Sequence, residues 1–109
     1  MWCRMAPHPS ANAAEAFVAT LRSAGVRHLF GLPGSTEAAL LHALACDGSV
    51  RYLMALHESA AVAMADGYAR ATRRPAVASL HTSVGVMNGM SQAYNAWRDG
   101  TPLVVTAGH

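Results

Sequence analysis

The sequence contains no lysine: eight arginines stand against six acids, for a net charge of +2. Charged residues make up only 13% of the chain, where a soluble domain usually has about a quarter. That scarcity excludes a polyelectrolyte tail or a long basic stripe of the kind that grips nucleic-acid backbones. Arg70, Arg73 and Arg74 form the one local cluster, at an expected helix C-terminus where cations complement the dipole. No apolar run approaches the roughly 18 residues of a membrane span. Met1-Trp2-Cys3-Arg4-Met5 lacks the long apolar core of a signal peptide. The two cysteines, Cys3 and Cys46, have neither metal nor redox spacing. Reduced thiols, a cytoplasmic location, and no nucleic-acid or membrane partner are therefore expected.

What the chain has in excess is apolar surface, 52% of 109 residues. One domain of this size has a single modest core and cannot hide that much by itself. Part of it is expected to face another domain or subunit.

Residues 1–9 are expected to be a flexible tail. Ser10 or Asn12 can cap a helix running through Arg22, with Phe17, Leu21 and Ala24 on one face and Gly25 at its stop. Val26 to Phe30 reads as a strand ended by Gly31-Leu32-Pro33-Gly34. Ser35 occupies an N-cap position before a helix from Thr36 to Ala45. A second strand spans Val50 to Leu56, and an alanine-rich helix runs from about His57 to Thr72. After Pro75 a third strand covers Ala76 to Leu80. A loop from His81 to Gly85 leads into a helix from Val86 to Trp97, and Leu103 to Ala107 is the fourth strand.

Strands alternating with helices, the later strands being continuous apolar runs, predict an α/β fold: a parallel sheet covered by helices on both faces. A doubly wound domain normally continues for more elements, so residues 10–109 are expected to be an incomplete domain. Ligands of such sheets bind beyond the carboxyl ends of the strands. That puts Gly31 to Gly34, His57-Glu58 and His81 to Gly85 at one edge.

Each candidate residue there also has a plain structural reading. Glu58 opens a helix among apolar neighbours, which suits a dipole-stabilised anion first and a buried functional acid second. His81, a lone histidine, reads first as satisfied structure. Ser35 reads first as a cap, and Asn88 as an ordinary helix residue. Gly31 to Gly34 is neither a dinucleotide fingerprint nor a Walker loop, and no acidic, histidine or cysteine group has convincing metal spacing.

Taken in order, the motifs change that weighting. Phe30-Gly31-Leu32-Pro33-Gly34 resembles the phenylalanine-glycine-x-proline-glycine turn of thiamine diphosphate-dependent enzymes of the decarboxylase and acetolactate synthase type. His57-Glu58, with Ala65-Asp66-Gly67-Tyr68-Ala69-Arg70, resembles their glutamate-bearing helix. Gly85-Val86-Met87-Asn88-Gly89 is similar to their next cofactor-facing turn, and Pro102 to Gly108 to their closing strand. Leu80-His81-Thr82-Ser83 and Asn95-Ala96-Trp97 are most similar to the benzoylformate decarboxylase branch. Leu32 and Met87 depart from it, standing where that branch has a polar and a small residue.

The resemblance implies a pyrimidine-binding domain. In it Glu58 hydrogen-bonds N1′ of the cofactor's aminopyrimidine and so activates thiamine diphosphate, with a carboxyl pKa raised by apolar neighbours. It implies cofactor contacts at Pro33, Gly34 and Asn88, an acid/base role for His81 at a 2-keto acid, and contact of Ser35 with the substrate carboxylate. Diphosphate and Mg2+ are implied to be held by a separate domain absent from this chain. The implied partner is a second copy or a complementing chain that carries this domain. Three readings stay open: a keto-acid decarboxylase fragment, a fragment of an acetolactate synthase-like carboligase, and a non-enzymatic remnant or partner-binding subunit.

Overall fold

The structure, a computed structural model, describes residues 12–108. The tail expected over residues 1–9, with Ser10 and Cys3, lies outside them. Helix α1 (Ala13–Ser23) begins at Asn12, whose Oδ1 accepts the Glu15 N–H at 2.9 Å. Such a cap is worth about 1 kcal/mol. Gly25, at φ 75°, takes the left-handed turn that ends the helix. Because the chain leaves at that turn, Ala24 is exposed, and the buried face is Val18 and Leu21 with Phe17 half-buried.

The chain continues through β1 (His28–Gly31), a 3-10 turn (Ser35–Glu37), α2 (Ala38–Asp47), β2 (Arg51–Met54), α3 (Glu58–Thr72), β3 (Ala76–Leu80), α4 (Thr82–Arg98) and β4 (Leu103–Ala107). The four strands form one parallel sheet in the order β2-β1-β3-β4. The α/β class expected from the alternation holds.

Successive strand residues point to opposite faces, and the two faces carry separate cores. Leu29 and Val77 pack with Val18, Leu21, Ala43 and Leu44 under α1 and α2. Phe30, Ala76, Ala78 and Leu80 pack with Ala61, Val62, Ala65 and Ala69 of α3. Burying each of the larger aliphatic side chains contributes about 1.5–3 kcal/mol. The α3 contacts recur at helical spacing on one stripe, and their small size lets the helix lie close to the sheet. Helix α4 comes equally close through glycine. A Cβ on Gly89 would stand 3.0 Å from Val62 and 3.1 Å from Leu80.

Only β3 is buried along its whole length. The apolar run of β4 was expected to be covered too, yet Val104 and Val105 are 48% and 39% exposed. The reason is position: β4 is the sheet edge, and the core under α1 and α2 draws on β1, β2 and Val77. Helix α4 also leaves Val84, Met87, Met90, Tyr94 and Trp97 exposed, a spacing that places them on one outer face.

Arg70 reaches Asp66 at 2.9 Å and also pairs with Asp99, so the arginine of the expected cluster nearest the helix body is neutralised locally. Cys46 is disulfide-bonded, which corrects the expectation of a reduced thiol. No helix among the described residues is long and apolar enough to cross a membrane.

Candidate functional site

All strands run parallel, so their carboxyl ends share one edge. Strands β1 and β3 are neighbours, but the helix after β1 packs on one face and the helix after β3 on the other. A crevice opens at such a switch point. Gly34 follows β1 into it, His81 follows β3, and Glu58 lies beyond the end of neighbouring β2.

Glu58 is the first residue of α3, only 8% exposed. His57 caps the helix, its Nδ1 accepting the Ser59 N–H at 3.2 Å. Asn88, one helix away in α4, donates its Nδ2–H to Glu58 Oε2 at 3.0 Å. Gly85 leaves room beside the other oxygen, since a Cβ there would sit 3.2 Å from Oε1. The expected upward pKa shift is not found. The Asn88 amide, followed by the Glu58 backbone N–H, lowers the carboxyl below its ordinary 4.5, outweighing burial, with His57 and His81 acting in the same direction.

Ser35 is not the expected helix cap. Gly34 takes that position, and the chain enters α2 through the 3-10 turn. The carboxylate of Glu37 accepts the Gly34 N–H at 2.7 Å and the Thr36 hydroxyl at 2.6 Å. Ser35 is left exposed and makes no cap hydrogen bond, so the conflict between capping and binding disappears. Pro33 is half-buried at the head of this turn.

Glu37 was not among the residues singled out from the sequence. It is 3% exposed, and His81 Nδ1 lies 2.9 Å from its Oε2. Burial alone would raise its pKa. The Thr36 hydroxyl, the Gly34 N–H and His81 reverse that and lower it below 4.5. Tyr52 registers the same charge: its buried hydroxyl lacks a hydrogen-bond partner among the described residues. Burial first and Glu37 second push it up to about 12. A capping-box reading, with the acid three residues after Gly34 rather than two after Ser35, was the available signal for Glu37.

His81 ends β3 and caps α4, whose first hydrogen bond is Gly85 N–H to the His81 carbonyl at 2.9 Å. The loop expected over residues 81–85 is therefore helix from Thr82 onward. No proline intervenes, and Gly85 is accommodated because it faces Glu58. Gly34 packs so closely on the His81 imidazole that a Cβ at residue 34 would overlap the ring. Thr82 adopts φ 54°, a left-handed conformation that costs a β-branched residue about 1–3 kcal/mol. Strain of this kind persists only where surrounding contacts hold it.

The structure thus gathers the expected site residues into two neighbouring groups, Glu58 with Asn88 and His81 with Gly34, and adds Glu37 to the second. Both carboxylates carry a pH consequence. Their folded pKa values lie below the unfolded value near 4.5. Each therefore contributes stability that is fully present above that value and is lost as pH falls through the folded pKa. The thermal midpoint of this chain is expected to drop on acidification below about 4.5, and Glu37→Gln to make that drop shallower. A midpoint that rises on acidification contradicts the assignment.

Among the described residues, no group of three histidine, cysteine, aspartate or glutamate side chains could hold a metal ion. The family profile described as "Thiamine pyrophosphate enzyme, N-terminal TPP binding domain" matches residues 11–109. The chain is 48% identical over 88 residues to benzoylformate decarboxylase of Pseudomonas aeruginosa, covering 81% of this chain and 16% of that protein. It is 35% identical over 97 residues to the acetolactate synthase large subunit of Buchnera aphidicola, covering 89% and 17%. A thiamine diphosphate-dependent 4-hydroxybenzoylformate decarboxylase from Rhodococcus jostii superposes with a TM-score of 0.84 at 37% identity, over 91% of this chain and 18% of that one. The chain therefore spans less than a fifth of the length of these relatives.

Proposed function

Because the chain belongs to the thiamine pyrophosphate enzyme family through its N-terminal TPP-binding domain, we propose that it forms the aminopyrimidine-binding portion of a 2-keto acid decarboxylase. The observation that carries this reading is buried Glu58 at the strand ends, held by a hydrogen bond from exposed Asn88. The donor set fits a pyrimidine ring. Asn88 occupies Glu58 Oε2 and leaves Oε1, beside Gly85, for a ring nitrogen. The exposed apolar side chains of Leu56 and Met87, close in sequence to that pair, suit a flat heterocycle.

Thiamine diphosphate, when bound, supplies the electron sink for loss of CO2 from a 2-keto acid. Glu58 accepts a hydrogen bond from N1′, and its lowered pKa keeps it ionised so that it favours a proton at that atom. His81 exchanges a proton with the keto acid. Ser35, free of any cap, offers its hydroxyl to the substrate carboxylate. Pro33 and Gly34 shape the turn that borders the pyrimidine. The diphosphate and Mg2+ would fall to a domain beyond these 109 residues. The exposed face of α4, with Met87, Tyr94 and Trp97, is the surface through which a second copy or a complementing chain completes the site.

A carboligase with the same cofactor is the second reading. The pairing of His81 with a buried carboxylate favours the decarboxylase, since it equips the histidine for proton transfer. Product analysis separates the two in a protein that joins this segment to a diphosphate-binding domain. Aldehyde is the expected product from benzoylformate, and an acetohydroxy acid from pyruvate as the main product would reverse the order.

A further inference from the structure

Glu37 has no part in the chemistry just described, yet its carboxylate is buried, accepts from the Gly34 N–H and the Thr36 hydroxyl, and faces His81 Nδ1 at 2.9 Å. An ionised carboxylate has no proton to give. The nitrogen of His81 that faces it at 2.9 Å must therefore be the protonated one. The Thr36 hydroxyl, 3.2 Å from the same nitrogen, already directs its proton to Glu37 Oε1 and can only accept from the ring. In a neutral imidazole one nitrogen is a donor and the other an acceptor. With the proton on Nδ1, the lone pair lies on Nε2.

The ring has little freedom to escape this arrangement. Gly34 packs against its Cγ, Nδ1 and Cε1 edge. The backbone leaves His81 through the left-handed Thr82. A flipped ring would turn a carbon toward Glu37 and strip a buried carboxylate of a hydrogen bond, which is costly in a site only 3% exposed. The side chain of His81 is itself 36% exposed, so the ring reaches the open crevice.

We propose that Glu37 is a positioning residue: it holds His81 as the Nδ1–H tautomer and leaves Nε2 unprotonated toward the crevice, ready to take a proton and return it. The assignment rests on the reading of His81 as the acid/base group. A purely structural Glu37 would cap the 3-10 turn through Gly34 and would not depend on which ring nitrogen carries the proton.

The test is the tautomer of His81 in this 109-residue chain, read from long-range nitrogen–proton correlations of the labelled ring at a pH where the imidazole is neutral. The expected wild-type signal is a protonated Nδ1 with an unprotonated Nε2. Glu37→Gln retains it, because the amide carbonyl still accepts from Nδ1. Glu37→Leu loses the preference and shifts population to the Nε2–H form. A wild-type ring protonated on Nε2 overturns the proposal without any variant, so the test stands even if the leucine variant does not fold. An unchanged Nδ1–H signal in a folded Glu37→Leu chain overturns it as well.

The catalytic arm is a double-mutant comparison in a protein that contains this segment and turns over a keto acid. Glu37→Leu lowers kcat by about tenfold or more, leaves KM within about twofold, and adds nothing in a His81→Ala background. Additive losses contradict the positioning role. Neither the tautomer measurement nor its outcome depends on thiamine diphosphate, so a failure of the cofactor reading shows separately, as cofactor chemistry indifferent to Glu58.

Discussion

Replacing Glu58 by glutamine is expected to lower keto-acid turnover about 10²–10⁴-fold in a protein that supplies the diphosphate-binding domain, the range typical for losing a proton-handling group. The substitution is nearly isosteric, so packing beside Gly85 should survive. Asn88 donates to Oε2 at 3.0 Å, and a glutamine carbonyl can still accept from it. What glutamine cannot supply is an ionised acceptor for a protonated ring nitrogen. The loss should appear in kcat, with the thermal midpoint falling only by the share of stability that the ionised Glu58 carboxylate contributes. Turnover within about threefold of wild type would remove Glu58 from the mechanism.

The second large effect is on stability. Gly31→Ala is expected to destabilise the chain by about 3 kcal/mol, at the upper end for overpacking a close-packed interior. A Cβ at Gly31 would stand 2.5 Å from the backbone carbonyl of Ser79, on the strand beside it, and would collide with the Tyr52 hydroxyl. Tyr52 could rotate away. The Ser79 carbonyl belongs to the β1–β3 ladder and can move only if the sheet opens. The thermal midpoint should fall by about 12–24 °C, given roughly 4–8 °C per kcal/mol in a domain of this size. The disturbance would sit under Gly34 and His81, so the site should loosen with it. A midpoint within about 2 °C of wild type would show that β1 and β3 do not approach as described.

The strands were legible where punctuation flanks them. Pro75 on one side and Gly100-Thr101-Pro102 on the other bracket β3 and β4, and both strands span the expected residues, Ala76–Leu80 and Leu103–Ala107. Strand β1 was displaced because Val26 belongs to the exit from α1, its N–H donating to the Leu21 carbonyl at 2.9 Å. Helix α4 began four residues early because a glycine that looks like a breaker is required there by Glu58.

At the site, positions were legible and chemistry less so. The ends of apolar strands located Glu58, His81 and the Gly31-to-Gly34 turn. The downward direction of the Glu58 pKa was not legible locally because its leading cause, Asn88, arrives from 30 residues away. Glu37 was overlooked for a similar reason. Its burial and charge make sense only when β3 delivers His81 across 44 residues of sequence. One-residue ambiguity in the cap, Ser35 or Gly34, was enough to hide it.

The most direct measurement is exchange of the C2 proton of bound thiamine diphosphate for deuterium, followed by NMR after acid quench, in a protein that carries this segment and binds the cofactor. The exchange reports cofactor activation alone, without substrate, product release or His81. Wild type should exchange rapidly, and Glu58→Gln at least about a hundredfold more slowly with the cofactor still bound. Equal exchange rates in the two proteins would contradict the assignment of Glu58 as the residue that activates the cofactor.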